Sequence, residues 1–386
     1  MRPLTPLAKV TWSLTLVVCC STGLLAANSR QSVPAPSPPY RAVAFPYVAI
    51  KRATIPFFNH GYLIQFKHKT EAVGESNIFL YDLRGQLEHE VAIWPEGTAK
   101  LFLASVDVGA GKQLAYSYMQ TKNDGSIAAF IALSDVDGKS PTMFSTETYI
   151  ATQIALASDG SIWAIGGEYA SDSGEQKRWN NYDMLRHYSP SGMLLEHFLP
   201  RWGPSVSYQT ETPAGKAEAH NTDGAVVADN TPHNQGYSRA WQTKRQTYLR
   251  STGTRTVLYD GLNDRICFHD SASRALSCQS ITGDYVGEMT LTGFALSDRG
   301  DIFASMRAGG FYEDAHGFYQ DPQGGLFVLS RLPNGLESEW KAVPGTIGRG
   351  LATGDFTDLL GTDGTSLVHR RREESGVVPM IFETAW

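Results

Sequence analysis

The chain has 386 residues and a formal net charge of -6, with 42% hydrophobic and 19% charged residues. That length suits one large or two ordinary domains, and the composition predicts a packed core rather than disorder. The negative balance disfavours a nucleic-acid partner, whose phosphates select a basic face, and is compatible with neutral or cationic ligands.

Arg2 and Lys9 precede an uncharged run from Val10 to Ala27 that ends in small residues. A positive start, an apolar middle and a small-residue end make the order of a secretory signal peptide. Residues 1–27 are therefore read as a signal cleaved after Ala27, 28–43 as a Pro/Ser-rich linker, and 44–386 as the folded domain. Two other readings stay open. The uncharged run is near membrane-spanning length and fits a retained signal anchor. Leu16-Val17-Val18-Cys19 resembles a bacterial lipobox, with Val18 where a small residue is expected. The expected location is secreted or periplasmic, with membrane contact only through such an N-terminal anchor.

After the linker, Ala44–Ile50 has strand character. From there two kinds of hairpin alternate. Inner pairs are predicted near 53–68, 101–119, 150–165, 247–260, 291–305 and 350–369. Outer pairs are predicted near 76–93, 127–144, 183–198, 265–281 and 325–343. The last outer pair is one strand short, with only Val377–Thr384 before the end. Apolar runs broken by Asp-Gly or Ser-Gly turns are hairpin signals, and no segment keeps a helical period. Ala155-Leu156-Ala157-Ser158-Asp159-Gly160-Ser161-Ile162-Trp163 is repeated almost position for position by Ala295-Leu296-Ser297-Asp298-Arg299-Gly300-Asp301-Ile302-Phe303. Repetition at this scale implies an array of similar small sheets.

Those residues resemble the blade motif of NHL-type and regulator-type β-propellers. The resemblance implies an all-β, six-bladed β-propeller, with seven blades as the alternative. The Ala44–Ile50 segment would supply the missing outer strand and close the ring. Residues 200–246 interrupt the pattern, with Thr222–Val227 as half of a possible further blade. The fold hosts unrelated functions, so it fixes no activity.

Cys267 and Cys278 are the cysteines that follow the signal. A hairpin turning near 271–273 sets them opposite each other, and an oxidising compartment would join them; two separate buried thiols are the other reading. No further Cys or His pair has zinc-ligand spacing. Asp135-Val136-Asp137-Gly138 resembles the start of a calcium loop but lacks the closing Glu, and is read as a turn. Arg370-Arg371-Arg372-Glu373-Glu374 is read as a solvated loop. Glu313-Asp314-Ala315-His316 is read as ordinary surface, although it is a tight group able to face a cation. No catalytic residue, metal ligand or cofactor is assigned.

The functional signal is collective. In such an array the turns inside hairpins share one end, and the connections between hairpins share the other. The long connections here carry Trp179 and Tyr182, then Trp202 and Trp241, then Phe311, Tyr312, His316 and Tyr319. Aromatics on long loops over a rigid scaffold suit a binding face. These eight residues are the candidate ligand site for a glycan, peptide or protein partner. The alternative function is an ester or lactone hydrolase with a divalent cation at the centre of the ring.

Overall fold

The computed structural model describes residues 40–41, 57–70, 72–82, 84–168, 182–200, 207–209, 218–220, 226–228, 247–253, 255–260, 265–271, 273–282, 289–297, 299–308, 311–314, 317–320, 324–331, 337–342, 358–363, 366–373 and 376–383. All belong to the unit Ser37–Trp386. The described residues are strands and turns with no helix.

One turn recurs and explains the repeat. In Ala157–Ser161, the Ala157 N–H donates to the Ser161 carbonyl at 2.9 Å and the Gly160 N–H to the Ala157 carbonyl at 3.0 Å. The same two bonds recur at Ser297–Asp301, Ser189–Met193, Asp135–Lys139, Lys122–Ser126, Gly109–Gln113 and Asp82–Gln86. The fourth residue of each turn needs a positive φ, which is +80° at Gly160 and +87° at Gly300. Glycine takes it without strain; Lys112, at +55°, is the exception. An Asp at the third position accepts an N–H two residues on, as Asp159 does from Ser161 at 2.9 Å. Asp135–Lys139 is thus a turn of this kind.

These turns and the looser connections fold the chain into antiparallel four-stranded meanders. Sheet I is Phe57–Asn59, Tyr62–Phe66, Ile78–Tyr81 and Leu87–Val91. Sheet II is Thr98–Val108, Gln113–Lys122, Ile127–Asp135 and Thr142–Glu147, with Lys69–Thr70 on its inner edge. Sheet III is Tyr149–Leu156, Ile162–Glu168, Asp183–Tyr188 and Leu194–Pro200. Sheet IV is Thr247–Thr252, Arg255–Asp260, Arg265–Asp270 and Ala275–Thr282. Sheet V is Met289–Leu296, Ile302–Ala308, Gly324–Arg331 and Glu337–Ala342. Sheet VI is Asp358–Asp363, Ser366–Glu373 and Gly376–Glu383, completed by Tyr40–Arg41. The last strands of sheets IV and V also pair in parallel, Ser280–Thr282 against Glu337–Glu339.

The core lies between sheets. Ile64, Leu80, Leu103, Val106 and Tyr118 pack sheet I on sheet II. Tyr149, Ile154 and Ile162 pack sheet III on Ala115 and Ile131 of sheet II. Trp163, Ile165 and Leu185 meet Leu249, Leu258 and Cys267 of sheet IV. Val257, Tyr259 and Ile266 meet Phe294, Ile302 and Trp340 of sheet V. Ala295 and Phe303 meet Leu359 and Leu367 of sheet VI, and Val368 meets Phe58, Leu63 and Phe79 of sheet I.

First strands of successive sheets run side by side. The Ser105 Oγ and an Asp107 carboxylate oxygen accept the Ile154 and Leu156 N–H groups at 3.1 and 2.8 Å. Gln153 bonds the backbone of Thr247 and Leu249. The Asn59 Nδ2 donates to Asp107 at 2.7 Å. At Gly293 and Gly361 the neighbouring backbone comes so near that a Cβ would lie 2.1 Å from the Leu359 oxygen and 2.0 Å from the Phe58 oxygen.

Several expectations differ from the structure. The strand paired with Gly376–Glu383 is Tyr40–Arg41, with Tyr40 opposite Phe382. The sequence places these two residues in the linker, yet they are the first after Pro38 and Pro39 that can donate an N–H. Ala44–Ile50 lies outside the described residues. Arg370, Arg371 and Arg372 lie in a strand, not a loop, because Ser366–Glu373 is paired on both edges. Pairing in the sheet overrides the composition of the run. The 200–246 segment carries a small three-stranded sheet, Ser207–Gln209, Glu218–His220 and Val226–Ala228.

Gly293→Ala and Gly361→Ala force backbone apart between neighbouring sheets and are each expected to cost about 1–3 kcal/mol, read from denaturant midpoints. Gly111→Ala, where nothing lies within 4 Å, is the control that should stay near wild type.

Candidate functional site

Among the described residues, polar chemistry concentrates at the tight-turn end, between sheets III and IV. Trp163 is 2% exposed and stacks on His187, with ring centroids 4.1 Å apart and planes 8° from parallel. The His269 ring tilts against the same indole at 4.4 Å. Register explains the assembly. His187 lies opposite Trp163 on one side and Glu196 on the other, while His269 and Arg274 come from the outer hairpin of sheet IV.

A chain of bonds runs through these groups. The Ser161 hydroxyl donates to Asp159 Oδ1 at 2.6 Å. His187 Nε2 lies 2.8 Å from the Ser161 Oγ, and His187 Nδ1 lies 2.9 Å from Glu196 Oε2. Arg274 Nε donates to Glu196 Oε1 at 2.9 Å, and its Nη2 to the Leu195 carbonyl at 3.2 Å. His269 Nε2 is 3.1 Å from Glu196 Oε2, an ion pair when the ring is protonated. Above the cluster opens a cleft of about 400 Å³ lined also by Ser158, Ser251, Thr256 and Ser271.

Ser161, His187 and Glu196 have the spacing of a nucleophile, its base and an orienting acid. Burial argues against that chemistry. Ser161 is 3% exposed, so its hydroxyl, set between Asp159 and His187, is closed to a substrate. The arrangement fixes rings and turns.

Burial pushes the Glu196 carboxyl up, but bonds from His187 and Arg274 and the charge of His269 outweigh it and hold the group below its ordinary 4.5. Burial pushes His269 below 6.5, with the nearby Glu196 carboxylate opposing. The central strands hold a further buried carboxyl, Asp107, raised by burial although the Leu156 N–H and Asn59 hydrogen-bond to it. The charges of His60 and Arg250 oppose that rise, Arg250 being itself lowered by burial. Among the described residues no three His, Cys, Asp or Glu side chains group to hold a metal ion.

Of the aromatic-loop candidates, Trp179, Trp202, Trp241 and His316 lie outside the described residues. Tyr182 is half-buried, its hydroxyl against Gly167, where an added Cβ would sit 2.7 Å away. Phe311 and Tyr312 lie in a strand paired with Gly317–Gln320, which sets Tyr312 opposite Tyr319. Cys267 and Cys278 are opposite in register and form a disulfide. The polar cluster was not picked out in the sequence. Its members span residues 159 to 274, and only the Asp159-x-Ser161 turn is a local signal.

No family model and no curated protein matches the chain. Among solved structures it is similar to glucose dehydrogenase, with 12% identity, 90% of this chain and 100% of that chain covered, and a TM-score of 0.41. It is also similar to the β-propeller domain of the Trilobed protease from Pyrococcus furiosus, with 11% identity, 86% and 95% covered, and a TM-score of 0.39. A third is the nidogen/laminin complex, with 10% identity, 86% and 89% covered, and a TM-score of 0.37.

Both shifts have the same sign. A depressed His stays neutral to lower pH in the fold than in the unfolded chain, so the stability it carries is complete above 6.5 and is lost as pH falls through that value towards its folded pKa. A depressed Glu carries stability above 4.5 that is lost as pH falls through its folded pKa. Melting temperature is therefore expected to drop in two steps on acidification. His269→Leu should flatten the upper step and Glu196→Gln the lower. A profile unchanged by both substitutions would remove the role given to this cluster.

Proposed function

We propose that the chain is an exported, six-bladed β-propeller that serves as a non-catalytic binding module for a glycan, peptide or protein partner. Blade count and closure draw on the unbroken succession of sheet-to-sheet cores from I through VI and back to I, and on the pairing of Tyr40–Arg41 with the last strand. Export draws on the N-terminal sequence and the disulfide. No helix among the described residues is long and apolar enough to cross a membrane.

One observation carries the functional reading. The first strands of adjacent sheets run in the same direction, as the paired bonds Ser105 to Ile154 and Asp107 to Leu156 require. The strand ends that bound the three long connections, Glu168 and Asp183, Pro200 and Thr247, Ala308 and Gly324, then fall at the end opposite the tight turns. In the sequence the three connections that leave from those strand ends contain Trp179 and Tyr182, Trp202 and Trp241, and Phe311, Tyr312, His316 and Tyr319. Aromatic faces beside polar groups bind sugars and peptides by stacking and apolar burial. A serine-hydrolase reading would draw on Ser161, His187 and Glu196, and the burial of the Ser161 hydroxyl opposes it.

The test uses the chain from residue 28 on glycan and peptide arrays, followed by titration of the best ligand. Trp179→Ala or Tyr312→Ala is expected to weaken binding at least tenfold while Tm shifts little. Full affinity in both variants would overturn the assignment of the ligand face.

A further inference from the structure

We propose that the outer edge of sheet II, along Thr142–Ser145, is a docking site for an extended, uncharged segment of a partner protein, which adds to the sheet as a further strand. The proposal does not rest on the aromatic-loop reading.

A strand edge offers unpaired N–H and C=O groups, and folded proteins guard it with charge, proline or cover. The outer strand of sheet I carries Glu88, His89 and Glu90. That of sheet III carries Glu196, His197 and Pro200, and Arg274 takes its Leu195 carbonyl. The outer strands of sheets IV and V pair with each other at Ser280–Thr282 and Glu337–Glu339, and Tyr40–Arg41 covers Gly376–Glu383 in sheet VI. Sheet II has none of these devices. Its outer strand holds no charge and no proline from Thr142 to Thr146, and no described strand pairs beyond it. Among the described residues the backbone of Thr142–Ser145 makes no bond outside the ladder with Phe130–Leu133. The start of the sheet IV outer strand, Ala275–Gln279, is uncharged too, but it shows no exposed large apolar side chain.

The edge of sheet II does. Met143 is 50% exposed, and the Tyr118 hydroxyl donates to its sulfur at 3.2 Å. Phe144 turns to the other face of the strand and packs on Tyr188, with ring centroids 5.4 Å apart. The Ser189–Met193 turn of sheet III lies on the same ring, so that a Cβ on Gly192 would be 2.3 Å from Phe144 Cγ. Met193 and Leu194, 63% and 45% exposed, therefore stand beside this edge. With Met143 they are three of the six exposed large apolar side chains among the described residues. Single exposed apolar groups are ordinary, whereas a group of them marks an interaction site. The row of backbone donors and acceptors selects an extended peptide, because a strand meets them at matching spacing. The uncharged edge selects an uncharged peptide, with an apolar side chain against Met143. Methionine adapts to such a neighbour.

The probe is a displayed library of eight-residue peptides in which Ser or Thr alternates with Val, Ile or Leu, selected on the chain from residue 28. The best peptide is then titrated free in solution, read by calorimetry and by NMR of ¹³C-methyl methionine. Met143→Leu and Met193→Leu assign the two resonances. The peptide is expected to bind and to shift both. Met143→Lys and Thr142→Lys, each at an exposed position, should weaken it at least tenfold with Tm unchanged, and Trp179→Ala should leave it unaffected. Methylating alternate backbone nitrogens of the peptide should abolish binding, since a strand needs those N–H groups and a merely apolar contact does not. The proposal is overturned if no peptide binds the folded chain, or if the lysine variants or the methylated peptide bind as well as their parents. A dimer of the chain that Met143→Lys dissociates overturns it too, because a second copy would then occupy the edge.

Discussion

The first strand of a sheet is paired on one edge within its sheet and turns the other towards a neighbour, with Lys69–Thr70 covering part of that edge in sheet II. An open edge leaves N–H and C=O groups that must find partners. Here side chains of the preceding sheet supply them. Ser105 and Asp107 cover Ile154 and Leu156, Gln153 serves Leu249, and Ser305 serves Leu359 at 2.9 Å. This requirement explains why polar residues interrupt otherwise apolar strands. It also explains the glycines. At Gly293 and Gly361 the neighbouring backbone closes in directly and leaves no room for a Cβ. Bulges fall at the same places, between Leu103 and Ser105, Ala151 and Gln153, Leu291 and Gly293, and Leu359 and Gly361. A bulge turns one residue out of the ladder and re-aims its neighbour, which is what reaching sideways demands.

The sheet III–IV seam solves a different problem. Trp163 is too large to be covered by the aliphatic groups of Leu249 and Leu258 alone. The rings of His187 and His269 cover it on their faces and carry polar edges outward. Those edges need a partner at the rim, and Glu196 provides one carboxylate for groups from both sheets. The buried indole and the surface ion pair are thus two ends of one construction. The disulfide sits beneath the same seam, with Cys267 fully buried beside Trp163 and Leu185, and ties the hairpin that carries His269 and Arg274. A closed loop this short limits the unfolded chain modestly. Replacing both cysteines by alanine should cost about 2–3 kcal/mol by that estimate, measured by denaturant titration.

Local chemistry was legible in the sequence; lateral chemistry was not. Asp159-Gly160 and Arg299-Gly300 announced their turns because only glycine takes the left-handed position cheaply. The hairpin pairs followed from apolar runs between those turns, and Cys267 opposite Cys278 followed from the turn between them. The strand through Arg370–Arg372 was hidden because its charges imitate a solvated loop while its backbone is paired on both edges. Tyr40–Arg41 was hidden because two residues carry no period. The parallel contact of Ser280–Thr282 with Glu337–Glu339 joins strands more than fifty residues apart, and no local pattern encodes it. The cleft cluster shares this origin. His187 and Glu196 face each other only through register, and His269 and Arg274 arrive from the next sheet.

That origin also bears on what the cluster can do. A catalytic serine must have its proton free for the base and its oxygen open to a substrate. Ser161 lacks the second, because the turn that creates it also buries it beside Asp159. The Asp-Gly turn therefore gives the hydroxyl a structural place: it sits against His187, which meets Glu196, which holds Arg274. His269, pressed between the indole and the Glu196 carboxylate, ties the same network to the neighbouring sheet. Groups from two sheets that share one carboxylate cannot move independently, and this coupling makes the seam rigid.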